Sequence, residues 1–276
     1  MLQPFSAFIF AVLLHSAFQN SVGDVFIRTR TSGSLFNLAR LKAKTKTIEV
    51  LLRELLFADD AAVVAHNESV LQLMLDNLER ACTLFSLSMN INKTVVMRQA
   101  TGTSLDPVNI TLNGDPLEVV DRFNYLGSTF TSSLSLDEEV NIRIGKAATT
   151  FGGLSKRVWR NQKLTLRTKF MIYQACVLST LLYGAETWTS YASQEKRLNS
   201  FHMRCLRKIL NVTWQDKITN SDILQRAGLT SIHGLLRSKR LKWLGHLRRM
   251  TNDRIPKLVL YGELCAGKRK QCKPKV

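Results

Sequence analysis

The chain has 276 residues, of which 45% are hydrophobic and 22% are charged, and its formal net charge is +18. These values exclude a chain too small or too polar to bury a core, and they suffice for one large or two ordinary globular domains. The charge is uneven, since residues 1–155 carry 13 Lys and Arg against 15 Asp and Glu, whereas residues 156–276 carry 26 against 6. A basic second half indicates a polyanionic partner. Interspersed Trp and Tyr favour nucleic acid over a membrane surface.

The first predicted element is the apolar segment Phe5–Phe18, which has some features of a signal peptide or membrane anchor. It is too short to span a bilayer, His15 interrupts it, and no Lys or Arg precedes it. We therefore predict a buried helix with Pro4 in its first turn.

The cysteines are odd in number and widely spaced, without a CxxC motif: Cys82, Cys176, Cys205, Cys265 and Cys272. This pattern predicts reduced thiols in an intracellular protein, nuclear or cytoplasmic and not secreted. A zinc site that begins at Cys265 and Cys272 is disfavoured because no His follows them.

Two short strands, Asp24–Arg28 and Leu35–Arg40, are predicted before the most unusual stretch of the chain, Leu55–Ala65. There Asp59 and Asp60 interrupt an apolar run, which predicts two buried strands of a β-hairpin with both carboxylates at its tip. Adjacent like charges raise each other's proton affinity, so the pair favours a bound cation. Mg²⁺ is the natural candidate because it takes carboxylate oxygens together with substrate phosphates. Alternatively, the pair is simply good turn chemistry.

The next elements complete a predicted layer of helices on a mainly antiparallel sheet over residues 1–130. Apolar residues at helical spacing predict a helix over Glu68–Phe85, capped by Asn67 or Ser69. A strand at 95–97, a hairpin turning at 113–114 and a β segment at 123–130 come after it.

From Ser135 the pattern becomes helical, beginning with a capping box at Ser135–Glu138. Five helices are predicted, over residues 140–154, 166–181, 198–209, 223–227 and 235–250. The last helix carries six Arg and Lys around Trp243, and the lysine-rich residues 267–275 are typical of a basic disordered end. The fold class is therefore predicted to be α+β.

The segment Phe57-Ala58-Asp59-Asp60 resembles the aromatic-x-Asp-Asp box of reverse transcriptases, in the form common in non-LTR (LINE-type) retrotransposons. The later segments occur in the expected order, because Leu87–Thr94 resembles the family's next palm motif and Phe123–Ser128 its primer-grip hairpin. The N-terminal helix looks like the one that succeeds the family's Gln-Gly motif. Three further segments look like its thumb and post-thumb regions: Thr180–Trp188, Trp214–Ile218 and Trp243–Met250.

This resemblance implies three regions: a partial palm over residues 1–130, a helical thumb and post-thumb region over 131–265, and a basic tail over 266–276. It implies RNA-directed DNA polymerisation, in which dNTPs are added to a DNA primer on an RNA template by a two-Mg²⁺ mechanism. Asp59 would bind metal and act in catalysis, Asp60 would support the metal site or the primer end, and Phe57 would pack the hairpin.

The resemblance also assigns roles outside the hairpin. Lys93 would lie near the triphosphate as a further catalytic residue, although a solvated loop lysine is an equal alternative. Tyr125, Leu126 and Gly127 would hold the primer terminus, or serve only as a packed strand and turn. Basic helical residues would follow nucleic-acid phosphates: Arg204, Arg207, Lys208, Arg237, Arg240, Lys242, Arg248 and Arg249.

Departures from the family pattern limit this expectation. The family's third carboxylate precedes the Gln-Gly motif, whereas this sequence begins at Met1 after both, and Asp24 is the only acidic residue before Glu49. Fingers and endonuclease are likewise not recognised, and Ser86 stands where such elements usually have Gly. We therefore expect the isolated chain to be inactive or nearly so. The alternatives are a non-catalytic nucleic-acid-binding remnant, or a fragment whose missing upstream exon restores the polymerase.

Overall fold

The computed structural model describes residues 12–18, 23–30, 47–57, 60–99 and 108–266. The fold is α+β, as the sequence predicts. The described residues divide into two compact units. The first unit draws on the chain up to residue 127, on 131–133 and on 247–266, and the second on 128–130 and 134–246.

The strands are short. They are β1 (Phe26–Arg30), β2 (Thr47–Leu51), β3 (Glu54–Phe57), β4 (Asp60–Val63), β5 (Val95–Val96), β6 (Thr111–Leu112), β7 (Asp115–Pro116), β8 (Glu118–Val119), β9 (Arg122–Tyr125), β10 (Ser128–Thr131) and β11 (Glu263–Leu264). One three-stranded antiparallel sheet has the order β11-β1-β2, and the other strands pair in twos, with β5 and β8 parallel. The predicted sheet is thus divided into small sheets in the described residues. The strand predicted at Leu35–Arg40 lies outside them.

The predicted helices occur in the predicted order, and the helix over Ile255–Tyr261 was not predicted. They are α1 (12–17), α2 (Glu68–Leu84), α3 (Asp137–Gly153), α4 (Leu166–Ile172), α5 (Ser179–Leu181), α6 (Ala192–Leu210), α7 (Asn220–Ala227), α8 (Ile232–Arg249) and α9 (Ile255–Tyr261). A π-helical segment, Tyr173–Leu178, joins α4 to α5, so the helix predicted over 166–181 is continuous but changes its winding. The basic tail lies outside the described residues.

The first unit packs α1 against α2. Leu13, Leu14 and Phe18 are buried with Met74 and Leu78, which confirms the predicted buried helix for the described residues of that segment. The neighbouring stripe of α2 packs on a second apolar cluster, which comprises Leu75, Val96, Ile110, Leu112 and Leu117. None of the helices in the described residues is long and apolar enough to cross a membrane.

The end of α2 is closed by a left-handed residue, Ser86, whose φ is 56°. The Leu87 backbone N donates to the Cys82 carbonyl at 2.8 Å, and the Ser86 backbone N donates to the Thr83 carbonyl at 3.0 Å. These two hydrogen bonds are typical of a left-handed helix C-terminal cap, a position that strongly favours glycine. The family that the sequence resembles usually has Gly at this position. Ser86 takes the same left-handed backbone conformation although it has a side chain.

The core of the second unit gathers the predicted apolar stripes of its helices. Phe151 of α3 stacks on Trp159 with ring centroids 4.8 Å apart, and the Trp159 indole N–H donates to the Phe151 carbonyl at 2.7 Å. Tyr173 and His202 are fully buried and share a hydrogen bond of 2.8 Å between the phenol oxygen and Nδ1. These bonds satisfy polar atoms that burial would otherwise leave unpaired.

The first turn of α3 differs from the predicted capping box. The helix begins at Asp137 with Leu136 as its N-cap residue, and the Ser135 hydroxyl accepts a hydrogen bond from the Asp137 backbone N at 3.2 Å. Ser135 is therefore the residue before the N-cap residue, whereas a capping box requires Ser at the N-cap position itself.

A buried ion pair lies one turn into α3. Arg143 Nε donates to Glu139 Oε1 at 2.7 Å, and the two residues expose only 5% and 2% of their surface. The Thr129 backbone N donates to the other oxygen of Glu139 at 2.8 Å, and the Arg143 guanidinium lies 4.5 Å from the centroid of the Tyr183 ring. Because neither charge is well solvated, each depends on the other for compensation.

Candidate functional site

An antiparallel hairpin forms in the predicted stretch, but Asp60 does not lie at its tip, because it pairs with Phe57 in the ladder. β3 and β4 pair antiparallel with Leu55 opposite Ala62 and Phe57 opposite Asp60. Asp60 is the first residue of β4 and is exposed. Asp59 lies outside the described residues, so the structure places one of the two predicted metal-binding carboxylates.

The burial predicted for this hairpin is wrong. Leu55, Leu56 and Phe57 expose 39%, 43% and 62% of their surface, so Phe57 does not pack the hairpin as the resemblance implies. The physical reason is that β3 and β4 form a sheet of two strands to which no other described strand pairs. An apolar run predicts a buried strand only where a second layer covers both of its faces.

Tyr125 connects the predicted primer-grip segment to this hairpin. Its phenol O–H donates to the Leu55 carbonyl at 2.8 Å. Burial raises the pKa of Tyr125, and the negative charge of Asp60 raises that pKa further. The structure therefore brings Tyr125 and Asp60, two residues singled out in different motifs, into one neighbourhood.

The turn beyond Tyr125 has the backbone that its sequence allows. Leu126 and Gly127 have φ angles of 50° and 80°, the left-handed pair of a tight two-residue hairpin turn. Glycine takes this conformation freely, whereas Leu126 takes it at a cost and stays 39% exposed. The turn thus exposes the Leu126 side chain and, at Gly127, a backbone position that has no side chain.

Lys93 is not brought into hydrogen-bonding contact with the hairpin. It ends a short 3₁₀ helix, Ile91–Lys93, and its side chain is exposed. Its ammonium makes no hydrogen bond or ion pair with any described residue. This is compatible both with a solvated loop lysine and with a lysine that faces a triphosphate.

The described residues do not form a complete site for Mg²⁺. They contain no group of three or more His, Cys, Asp or Glu side chains that could hold a metal ion. At the hairpin they supply the carboxylate of Asp60 alone, which is less than the octahedral ion requires. We therefore derive no metal-dependent step from this geometry.

The basic residues singled out by sequence fall into two groups. Arg207 and Arg240 are engaged within the protein, because Arg207 donates to the Ile218 carbonyl and to Asn220 Oδ1 at 3.3 and 2.8 Å, and Arg240 donates to the Trp188 carbonyl and to Ser190. The exposed group comprises Arg204, Lys208, Arg237, Lys242, Arg248 and Arg249. Lys208 differs from the rest of this group, because its ammonium lies 5.9 Å from the centroid of the Phe151 ring.

Arg240 belongs to a polar network that the sequence did not predict. Glu195 Oε2 lies 2.6 Å from His233 Nδ1, and Glu195 Oε1 accepts from Ser190 and Arg240. Burial acts to raise the pKa of Glu195, but these hydrogen bonds and the nearby positive charges outweigh it and hold the pKa below its usual value. The network borders a cleft of about 690 Å³ that Arg237, Leu241 and Leu244 also line. No local pattern signals it, since its members are up to 50 residues apart.

Comparison with known proteins shows a similarity to a protein of transposon origin. No family model matches the chain. The chain is similar to a protein of Caenorhabditis elegans described as uncharacterized and transposon-derived, with 26% identity over 217 residues that cover 75% of this chain and 76% of the relative. The similarity thus extends over most of both proteins and supports a transposon-related origin, without testing an activity.

Proposed function

We propose that this chain is derived from a transposable element and carries the C-terminal palm and thumb of a non-LTR retrotransposon reverse transcriptase, with an RNA template and a DNA primer as its partners. The observation that carries the proposal is the hydrogen bond from Tyr125 to the Leu55 carbonyl, with Asp60 close to the phenol. It joins the two motifs on which a polymerase of this family depends. The similarity to a transposon-derived protein supports the same origin.

In this proposal the chain's own residues orient the primer end. The exposed turn at Leu126 and Gly127 meets the primer backbone, while Tyr125 holds that turn against β3. Asp59 and Asp60 are proposed to be the carboxylates that remain of the family's Mg²⁺ site, which also requires the family's third carboxylate. Lys93 is the residue proposed to face the triphosphate of the dNTP.

A second candidate function is nucleic-acid binding without catalysis. The observation that favours it is the exposed group of six Arg and Lys, which needs no metal and no acidic residue to hold phosphates. Binding of this kind weakens steeply with salt and is indifferent to Asp59 and Asp60.

The test is primer extension on an RNA template with Mg²⁺ and dNTPs, beside a binding assay on the same duplex, for the wild type and the Asp59→Asn, Asp60→Asn double variant. We expect equal binding by both proteins, because the carboxylates do not contact phosphate in the way that the basic residues do. Any nucleotide incorporation should be confined to the wild type. Incorporation that survives in the double variant would contradict the role of the carboxylates, and failure of both proteins to bind would contradict the proposed function.

A further inference from the structure

Trp214 is the most exposed large hydrophobic side chain in the described residues. It exposes 85% of its surface, whereas Trp159 and Trp188 expose 6% and 7%. An aromatic side chain of this size is normally covered, because its burial is among the largest single contributions to a core or interface. Its exposure leaves both faces of the indole available to a ligand.

The loop that carries Trp214 is firmly attached at both ends. Val212 and Ile218 pack against the core of the second unit on either side of it. The Val212 backbone N donates to the Arg207 carbonyl at 2.9 Å, and Arg207 in turn donates to the Ile218 carbonyl. The indole thus protrudes between two anchored points rather than lying on a loose segment.

The tip of the loop is closed by its own hydrogen bonds. Asp216 Oδ2 accepts from the Thr213 backbone N at 2.6 Å and from the Thr213 hydroxyl at 2.8 Å. The Lys217 backbone N donates to the Trp214 carbonyl at 3.3 Å, and Lys217 takes a left-handed φ of 49°. Because the backbone on both sides of Trp214 is ordered before any ligand arrives, binding at the indole costs less conformational entropy.

Positive charge lies next to this aromatic side chain. Lys217 lies in the same turn, and Arg226 is close enough to lower the pKa of Asp216 after the hydrogen bonds from Thr213. A polyanion that also offers flat apolar faces matches both features, since cations meet its phosphates and the indole meets a base.

We propose that Trp214 stacks on an unpaired base of a single-stranded segment of nucleic acid, with the neighbouring cations on the flanking phosphates. The inference rests on the proposed nucleic-acid binding but not on polymerase activity. Stacking requires an open π-face, so this site selects single-stranded over paired segments and is tolerant of base identity.

The experiment measures binding of the full chain to an oligoadenylate of about a dozen nucleotides, to an abasic oligomer of equal length and to an RNA–DNA duplex. We expect Trp214→Leu to weaken oligoadenylate binding roughly five- to 150-fold, Trp214→Phe to weaken it far less, and neither to change duplex binding. The wild type should bind the abasic oligomer as weakly as Trp214→Leu binds oligoadenylate. Leu84→Ala, a matched removal of an exposed apolar side chain that has no proposed role in binding, should leave all three affinities unchanged.

Trp214 emission provides an independent readout, because Trp159 and Trp188 are buried and Trp243 can be removed. Quenching of this emission by oligoadenylate supports the proposal. Equal oligoadenylate affinity in the wild type and Trp214→Leu would overturn the inference alone, as would shielding of the indole by self-association without nucleic acid. Failure of the wild type to bind either the duplex or oligoadenylate would overturn the proposed function together with the inference.

Discussion

Replacing Ser86 by Gly should stabilise the protein. Ser86 closes α2 with a φ of 56°, and its side chain is exposed and makes no hydrogen bond with a described residue, so the substitution removes no contact within them. A non-glycine residue in this conformation destabilises the folded state by about 1–2 kcal/mol. Glycine removes this strain but makes the unfolded chain more flexible, which offsets about 0.5–1 kcal/mol of the gain. The expected net gain in the free energy of unfolding is therefore about 0.5–1 kcal/mol.

The reciprocal change offers a matched control. Gly228 closes α7 with a φ of 63°, and the Leu229 backbone N donates to the Leu224 carbonyl at 3.0 Å, as Leu87 does to Cys82 at the end of α2. A side chain at Gly228 would meet no atom within 4 Å, so Gly228→Ser adds backbone strain without a steric clash. We expect it to destabilise by about 1 kcal/mol.

Urea denaturation monitored by circular dichroism measures both changes. The expected result is a higher midpoint for Ser86→Gly and a lower one for Gly228→Ser, with unchanged m-values. A lower midpoint for Ser86→Gly, with Gly228→Ser behaving as expected, would refute the reasoning, because the serine side chain would then contribute more than the left-handed backbone costs.

The buried polar groups and the hairpin support three further predictions. Glu139→Ala should cost about 3–5 kcal/mol by leaving Arg143 buried without its carboxylate partner, whereas replacing both residues by apolar ones should cost much less; equal losses in thermal melts would contradict this. Burial lowers the pKa of His202 to about 4 from its ordinary value of 6.5, so the stability that its neutral form contributes is present above pH 6.5 and falls towards pH 4, by about 3 kcal/mol in total. Urea titrations across that range should show this loss, and a pH-independent midpoint would exclude it. Tyr125→Phe should cost about 1 kcal/mol and increase amide exchange in β3 and β4, because it removes the bond to the Leu55 carbonyl; unchanged exchange would show that the phenol does not hold the hairpin.

Elements set by neighbouring residues could be predicted from the sequence. Asn113 and Gly114, with φ angles of 55° and 85°, form the predicted turn between β6 and β7, since this pair takes left-handed backbone easily. The stop of α7 at Gly228 and the buried stripe of α2 result in the same way from local conformational preference and helical spacing. β3 and β4 also pair within the predicted stretch, although Asp60 lies opposite Phe57 in the ladder instead of at the tip.

Features set by distant residues could not be predicted. The exposure of Leu56 and Phe57 depends on whether another layer covers β3, which the apolar run itself cannot specify. Arg240 looks like a phosphate-binding residue of a basic helix, yet its guanidinium is held by Trp188 and Ser190, about 50 residues earlier. The contact between Tyr125 and Leu55 spans 70 residues, and only the family resemblance gave a reason to expect the two motifs together.

Binding of the full chain to an RNA–DNA primer–template across a salt titration tests the central claim most directly. We expect the logarithm of the binding constant to fall linearly with the logarithm of salt concentration. Arg237→Gln and Lys242→Gln should each reduce that slope by about 1 if the side chain contacts a phosphate, while the Asp59→Asn, Asp60→Asn double variant leaves it unchanged. Absence of binding at low salt, or binding that is indifferent to salt, would contradict the proposed function.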